Sequence, residues 1–248
     1  MICANARCDC TAAILDCRDC HHKAWRQTLK TRTQNSEDNP MKLYYSPGAC
    51  SLAVHIALRE AGLPFTLAKV DLARHKLAEP EHGSDDFYAV SPRGYVPMLQ
   101  LDDGSRHTEA ASLLQYVADL APGTALLPAA GTKARLEAVG WLTLVSTELH
   151  KVFSPWLWHK ETAQSTREDC QAKVALRFAE LDRHLGTRDY LCGTQFTVAD
   201  AYCFAVANWA NMLHMPLNAY PALQAYLSRV AARPKVHEAL VAEGLARD

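Results

Sequence analysis

No apolar run in this chain approaches the roughly 20 residues a membrane-crossing helix needs. A secretory leader is also lacking, because polar residues and cysteines interrupt the first 20 positions where its apolar stretch would lie. Nor is there an excess of charge of one sign. Lys and Arg number 26 against 27 Asp and Glu, a net charge of −1, which gives no argument for a nucleic acid or an anionic membrane as partner. The chain reads as cytoplasmic. Thiols stay reduced there, so the nine cysteines do not read as a disulfide framework. What is present is an ordinary globular composition, 49% hydrophobic and 21% charged over 248 residues, enough for one large domain or two small ones.

Five cysteines crowd the opening segment: Cys3, Cys8, Cys10, Cys17 and Cys20. Cys17-Arg18-Asp19-Cys20-His21 matches the C-x-x-C-H haem-attachment pattern, but that chemistry needs export. Thiolates and imidazoles this close together also suit zinc. The simpler reading takes residues 1 to 40 as a disordered Cys-rich extension, or an upstream start in the reading frame, because Thr31 to Pro40 is polar and unpatterned.

The informative stretch is Tyr44-Tyr45-Ser46-Pro47-Gly48-Ala49-Cys50-Ser51. Lys42 to Tyr45 reads as a short buried strand, Pro47 and Gly48 break it, and Ser51 to Gly62 carries a helical pattern. Cys50 thus stands where a strand ends and a helix begins. Unpaired N–H groups and a partial positive charge at that end favour a thiolate. The alternative is a small buried hydrophobe, the usual fate of a free cysteine.

Phe65 to Val70 alternates as a second strand, and strand, helix, strand implies a right-handed parallel crossover. Asp71 to Tyr88 reads as irregular. Pro97 to Leu101 is a further strand, Asp103-Gly104 a hairpin signal, and Ser105 to Thr108 its partner. Glu109 to Leu120 reads as a helix with Leu113, Leu114 and Val117 on its apolar side. Its first N–H groups suit a carboxylate, while Glu109 also reads as an acid placed against the helix dipole.

Ala121 to Pro128 reads as a linker, and helical patterns follow to the end. Lys133 to His159 carries Leu136, Val139, Leu142, Val145, Leu149 and Val152, and Pro155 ends or kinks it. Ser165 to Leu185 is a second long helix with Val174, Leu176, Phe178 and Leu181. Thr197 to Met215 is a buried third, opened by a Thr197-x-x-Asp200 capping box. Tyr220 to Ala232 and Pro234 to Leu245 complete a bundle. A lone His on a helix, such as His150, is usually a surface or satisfied residue. In a site, it could stabilise a thiolate or shuttle its proton.

The run from Met41 to Leu52 resembles the opening of a bacterial beta-class glutathione S-transferase. The likeness continues through Gly94-Tyr95-Val96-Pro97, Leu101 to Gly104 and Thr108-Glu109. It resumes at Thr147-Glu148-Leu149-His150-Lys151, Phe196 to Tyr202 and Arg233-Pro234. It starts at a methionine, Met41, and runs to the C-terminus. The resemblance implies a thioredoxin-like domain over 41–122, an all-helical domain over 130–248 and a homodimer.

It also implies site residues. Pro97 would be cis, leaving Val96 to pair its backbone with the cysteinyl part of glutathione; otherwise Pro97 merely starts an edge strand. Glu109 would meet the peptide's amino group, with Ala110 offering only its N–H where relatives carry Ser or Gly. His75 stands where a lysine often holds the glycyl carboxylate, with Lys76 beside it. His150 and Lys151 would reach across to Cys50. Thr143 stands where relatives often have Asn. Trp156, Trp158, Trp209 and Met212 could line an apolar pocket, or could be core.

The reading is a glutathione transferase that takes glutathione as co-substrate, a small apolar electrophile as partner and no metal. In conjugation, Tyr45 or Ser51 hydroxyls, the helix N-terminus or Cys50 would stabilise the glutathione thiolate. In disulfide exchange, Cys50 would form the mixed disulfide, monothiol because no C-x-x-C accompanies it. The rival is a non-catalytic glutathione- or ligand-binding protein of the same fold, with His75, Ala110 and Thr143 as signs of a decayed site. A third reading makes the N-terminal cysteines a metal site.

Overall fold

The computed structural model describes residues 40–247. The readings of residues 1 to 39, as disordered extension, zinc site or haem motif, lie outside the described residues. Six strands form one mixed sheet in the order β4-β3-β2-β1-β5-β6. They are β1 Met41–Tyr45, β2 Phe65–Asp71, β3 Lys76–Glu81, β4 Ser84–Asp86, β5 Met98–Gln100 and β6 Arg106–Thr108. β1 and β2 are parallel with Tyr45 opposite Lys69, while β5 runs antiparallel to β1 and β6 antiparallel to β5. This is the thioredoxin-like half of the molecule, and helices make up the rest.

β1 is buried on both faces, as a central strand must be. Leu43 and Tyr45 enter the larger core, and Tyr44 enters a second one with Val70, Leu77, Phe87, Val96 and Met98. Helix α1, Ser51–Glu60, follows, and every residue from Ser51 to Leu58 is buried. It is apolar nearly all round because it lies between other elements. It packs against α2 (Ala110–Leu120), α5 (Val198–Ala207) and α7 (Pro234–Ala242), so the sheet half and the helical half share one core.

The segment 71–88 departs from the irregular reading. It holds the β3–β4 hairpin, turned at His82-Gly83 with both residues at positive φ. Glu, Pro, His and Asp are poor strand formers, so the pairing comes from tertiary contacts. Glu81 accepts from the Tyr44 hydroxyl at 2.7 Å and from Lys42 Nζ at 3.1 Å, tying the hairpin back to β1.

The first long helix is α3, Lys133–Leu144, continued by a π-helical stretch Val145–His150 and a last turn Lys151–Phe153 that ends before Pro155. Leu142, Val145, Leu149 and Phe153 point inward. Leu136, and Leu176 of α4 (Gln164–Leu185), were expected on apolar faces but are 74% and 68% exposed. The buried third helix is interrupted: α5 ends at Ala207 and a short turn Trp209–Met212 follows. At the start of α5, Asp200 Oδ2 accepts from the N–H of Thr197 at 2.8 Å, and its Oδ1 accepts from Leu191 N–H at 2.8 Å and Tyr226 OH at 3.1 Å. These bonds satisfy a carboxylate buried in the core. Helix α6, Pro221–Ala231, precedes α7. Among the described residues no helix is long and apolar enough to cross a membrane.

Candidate active site

Cys50 is the N-cap of α1. Its thiol lies between that helix and the Val96-Pro97 peptide, which is cis, and donates to the Val96 carbonyl at 3.3 Å. Burial pushes this thiol up to about 12, while the Lys151 charge and the backbone N–H groups of Cys50 and Ser51 pull it back. The expectation of a lowered value at a helix start is reversed here. The N–H groups are in place, but loss of water outweighs them. Cys50 in the free protein is a neutral thiol.

The loop before Cys50 is held from the helical half. Glu243 Oε2 accepts from Gly48 N–H at 2.9 Å, and the Trp209 indole donates to Gly48 O at 2.8 Å. Glu243 is fully buried and its other oxygen lies 2.9 Å from His55 Nδ1. Arg59 Nε donates to His55 Nε2 at 2.8 Å. Nε2 is therefore an acceptor, the ring proton sits on Nδ1, and that proton is given to Glu243. The Ser51 hydroxyl closes the loop on itself, accepting from Ser46 N–H at 3.2 Å and donating to Ser46 O at 3.3 Å. Those bonds engage the hydroxyl that was read as a thiolate partner. Tyr45 is buried, and its phenol is raised by burial and by the Glu243 charge.

His150 ends the π-helical stretch. Its Nδ1 is 2.7 Å from the Tyr202 hydroxyl, and its ring meets the Trp209 ring edge-on at 5.0 Å. Burial, then the neighbouring Lys151 charge, lowers it to about 4, so the ring is neutral at ordinary pH. Trp209 thus bridges His150 and the Cys50 loop. Lys151 and Glu109 both act electrostatically on Cys50, and Cys50 on Tyr202. The structure therefore gathers Cys50, Val96, Glu109, His150, Lys151 and Tyr202 around one place.

At the start of α2, Glu109 stands at φ 71°, ψ 104°, a conformation rare outside glycine. Such strain clusters at ligand sites. Its exposed carboxylate pairs with Arg93 at 3.0 Å. Ala110 is the first residue of α2, and its N–H has no acceptor within the helix. Among the described residues, nothing accepts the Val96 N–H either. His75, at φ 52°, stacks on Tyr88 with ring centres 4.6 Å apart, and its buried Nδ1 has no hydrogen-bond partner among the described residues. Lys76 instead forms an exposed pair with Asp85 at 2.6 Å.

Of the aromatic residues read as pocket walls, Trp209 is buried and serves as the bridge just described. Trp156, Trp158 and Met212 are exposed. Met212 and Leu245 lie against Gly48, within 3.7 Å of where a side chain there would begin. Sequence reasoning passed over His55, Arg59, Glu243 and the bond to Tyr202. A buried acid and a buried histidine leave no spacing signal when 188 positions separate them.

The family profile described as glutathione S-transferase, N-terminal domain, matches residues 48–120, and the one for the C-terminal domain matches 144–234. The chain is 42% identical to glutathione S-transferase GstA of Escherichia coli O157:H7 over 205 residues, covering 83% of this chain and 100% of that protein. Among solved structures, a glutathione transferase from Methylococcus capsulatus strain Bath is 44% identical at TM-score 0.79, covering 83% of this chain and all of that one. A beta-class enzyme from Sphingomonas chungbukensis is 41% identical at TM-score 0.77, with the same coverage. A sphingomonad glutathione S-transferase solved with glutathione is 42% identical at TM-score 0.76, again with the same coverage. Fold and sequence agree: the chain belongs to the glutathione S-transferases, and within them to the bacterial beta class.

Proposed function

We propose that this enzyme binds glutathione along the Val96-Pro97 peptide and transfers its sulfur to small apolar electrophiles. The observation that carries the reading is the unpaired backbone beside the buried thiol. Among the described residues Val96 N–H has no acceptor and Val96 O meets only Cys50 Sγ, at 3.3 Å, and an extended peptide can add to such an edge through main-chain bonds. The N–H of Ala110 and the strained Glu109 suit the two charged groups at the far end of the peptide. Lys151 supplies a cation for a carboxylate or for the thiolate. His75 and Lys76 are the candidates for the glycyl end. Trp158 and Met212 supply exposed apolar surface beside the Cys50 loop. The exposed Leu136, Tyr88 and Tyr95 are consistent with a homodimer, and the reading carries a cytoplasmic, detoxifying and redox role with it.

A second reaction is favoured by the place of Cys50. Its thiolate would attack one sulfur of oxidised glutathione, forming a Cys50–glutathione disulfide and releasing glutathione thiolate. The test is intact mass after incubation with oxidised glutathione, for wild type and Cys50→Ala, with conjugation assayed alongside. A gain of one glutathionyl group, absent in the variant and reversed by reductant, supports the exchange. Conjugation without the adduct supports transfer alone. Absence of adduct, turnover and binding together would sink the enzyme reading.

A further inference from the structure

We propose that Arg167 is a positioning residue that decides which electrophiles the enzyme accepts. Its guanidinium holds the backbone on both sides of Trp158 and so fixes that indole as a flat wall of the second-substrate site. The inference rests on the glutathione transferase reading and names the residue that shapes its electrophile side.

The segment 154–163 joins the end of the first long helix to α4 and holds only turns. Its N–H groups bond close by. Leu157 N–H donates to Phe153 O at 2.9 Å, Trp158 N–H to Pro155 O at 3.0 Å and His159 N–H to Pro155 O at 3.1 Å. Its carbonyls are gathered by one side chain. Arg167 Nη1 donates to Leu157 O at 3.1 Å, its Nε to Thr162 O at 3.3 Å and its Nη2 to His159 O. A guanidinium suits this task because its N–H groups form a rigid fork that can reach several acceptors at once. The placing is otherwise unfavourable. Arg167 stands at the first turn of α4, where a cation opposes the helix dipole and no acid in that turn offsets it. The three carbonyls are what hold the side chain there.

Trp158 is the residue between two of those carbonyls, Leu157 O and His159 O. Its side chain meets Trp209 edge-on, with ring centres 6.0 Å apart, yet the residue stays 39% exposed. Trp209 lies edge-on to His150 at 5.0 Å and donates to Gly48 O at 2.8 Å, two residues before Cys50. Open indole surface therefore stands beside the groups gathered around Cys50. Leu157 anchors one end of the turn by its burial in the core, and Arg167 anchors the turn from the other side. A fixed aromatic face favours an electrophile with a flat ring, through stacking and buried area, and adds little for one without a ring. Freed from Arg167, the turn would leave Trp158 to be ordered anew each time such a ring binds, which lowers affinity.

The test compares initial rates with chlorodinitrobenzene, which has a flat ring, and iodoethane, which has none. The proteins are wild type, Arg167→Met, Arg167→Lys, Trp158→Ala and the double variant Arg167→Met with Trp158→Ala. Hydrogen exchange over residues 155–163 is followed in each. Arg167→Met should raise the KM for chlorodinitrobenzene about tenfold. Its KM for glutathione and its rate with iodoethane should stay within about twofold of wild type. Arg167→Lys, with one nitrogen in place of the fork, should not restore the lower KM. Trp158→Ala should show the same shift, and the double variant no more than Trp158→Ala alone, because residues acting as a unit are not additive. Exchange over 155–163 should quicken in Arg167→Met. Additive losses in the double variant, equal losses with both electrophiles, or unchanged exchange would overturn the proposal. Should Arg167→Met fail to fold, Trp158→Ala and Arg167→Lys still decide, since an unshifted KM for chlorodinitrobenzene in either overturns it. A wild type that conjugates neither electrophile would bring down the transferase reading and this proposal together, whereas an active wild type with unshifted variants removes this proposal alone.

Discussion

Glu243 accepts a hydrogen bond from the backbone N–H of Gly48, 195 positions earlier in the chain, at 2.9 Å. Its second oxygen meets His55 Nδ1, also at 2.9 Å, and both side chains are fully buried. One carboxylate from α7 therefore fixes the loop that carries Cys50 and the helix that follows it.

Replacing Glu243 by Ala leaves two buried donors, Gly48 N–H and His55 Nδ1–H, without acceptors. Each such loss costs about 1–3 kcal/mol. Urea unfolding should show a loss of roughly 3 kcal/mol or more. Transfer activity should fall further than stability alone requires, because the Cys50 loop loses one of its two anchors. An unchanged unfolding midpoint would show that the network does not hold the loop.

Cys50 reactivity follows from its burial. A thiol pushed up to about 12 alkylates slowly at neutral pH, because only the thiolate reacts. The rate of iodoacetamide labelling at Cys50, followed by mass, should rise about tenfold per pH unit from neutral into the alkaline range. A rate already level near pH 7 would mean that the helix N-terminus and Lys151 outweigh burial after all.

His150 makes acid a specific stress. Its value is lowered to about 4 from an ordinary 6.5 in the unfolded chain. Below about pH 6.5 the unfolded chain takes up a proton that the native ring refuses, so stability is lost as pH falls toward 4. The contribution is on the order of 3 kcal/mol. Urea unfolding at pH 7 and pH 4.5 should show a larger drop for wild type than for His150→Gln, which has no ring to protonate. Equal drops in the two proteins would remove His150 as a cause.

How far the site could be read from the chain depended on distance along it. A strand broken by Pro47-Gly48 before an apolar helix placed Cys50 at the helix start, where it stands. The cis Val96-Pro97 peptide, expected by resemblance, lies against it. Local patterns express such features within ten residues. The β3–β4 hairpin was missed because Glu79, Pro80 and Glu81 have no strand preference, and Tyr44 and Lys42 hold the strand in place from elsewhere. The direction of the Cys50 shift was missed for a related reason: dipole and N–H groups are local, but the burial that overrides them comes from a core assembled from distant parts of the chain, Val96 among its contacts. Exposure of Leu136 and Leu176 shows the opposite limit, since periodicity names apolar positions but not which of them find a partner.

Gly94 tests the link between backbone and binding. It stands at φ 64°, and a Cβ there would lie 2.7 Å from both His75 Nδ1 and the Tyr88 ring. The ring stack cannot withdraw without also moving the β2–β3 connection, because His75 O accepts from Phe87 N–H at 2.9 Å just ahead of Tyr88. The alternative is that the 94–97 segment shifts, and this segment carries the Val96 backbone offered to glutathione. Gly94→Ala should therefore raise the KM for glutathione several-fold, with a smaller change in kcat, since a displaced binding edge weakens ground state and transition state alike. It should also cost about 1–2 kcal/mol of stability from positive φ and overlap. Initial rates over a glutathione series and a urea titration measure the two effects separately. A variant that loses stability but keeps its KM would show that the segment yields without moving Val96.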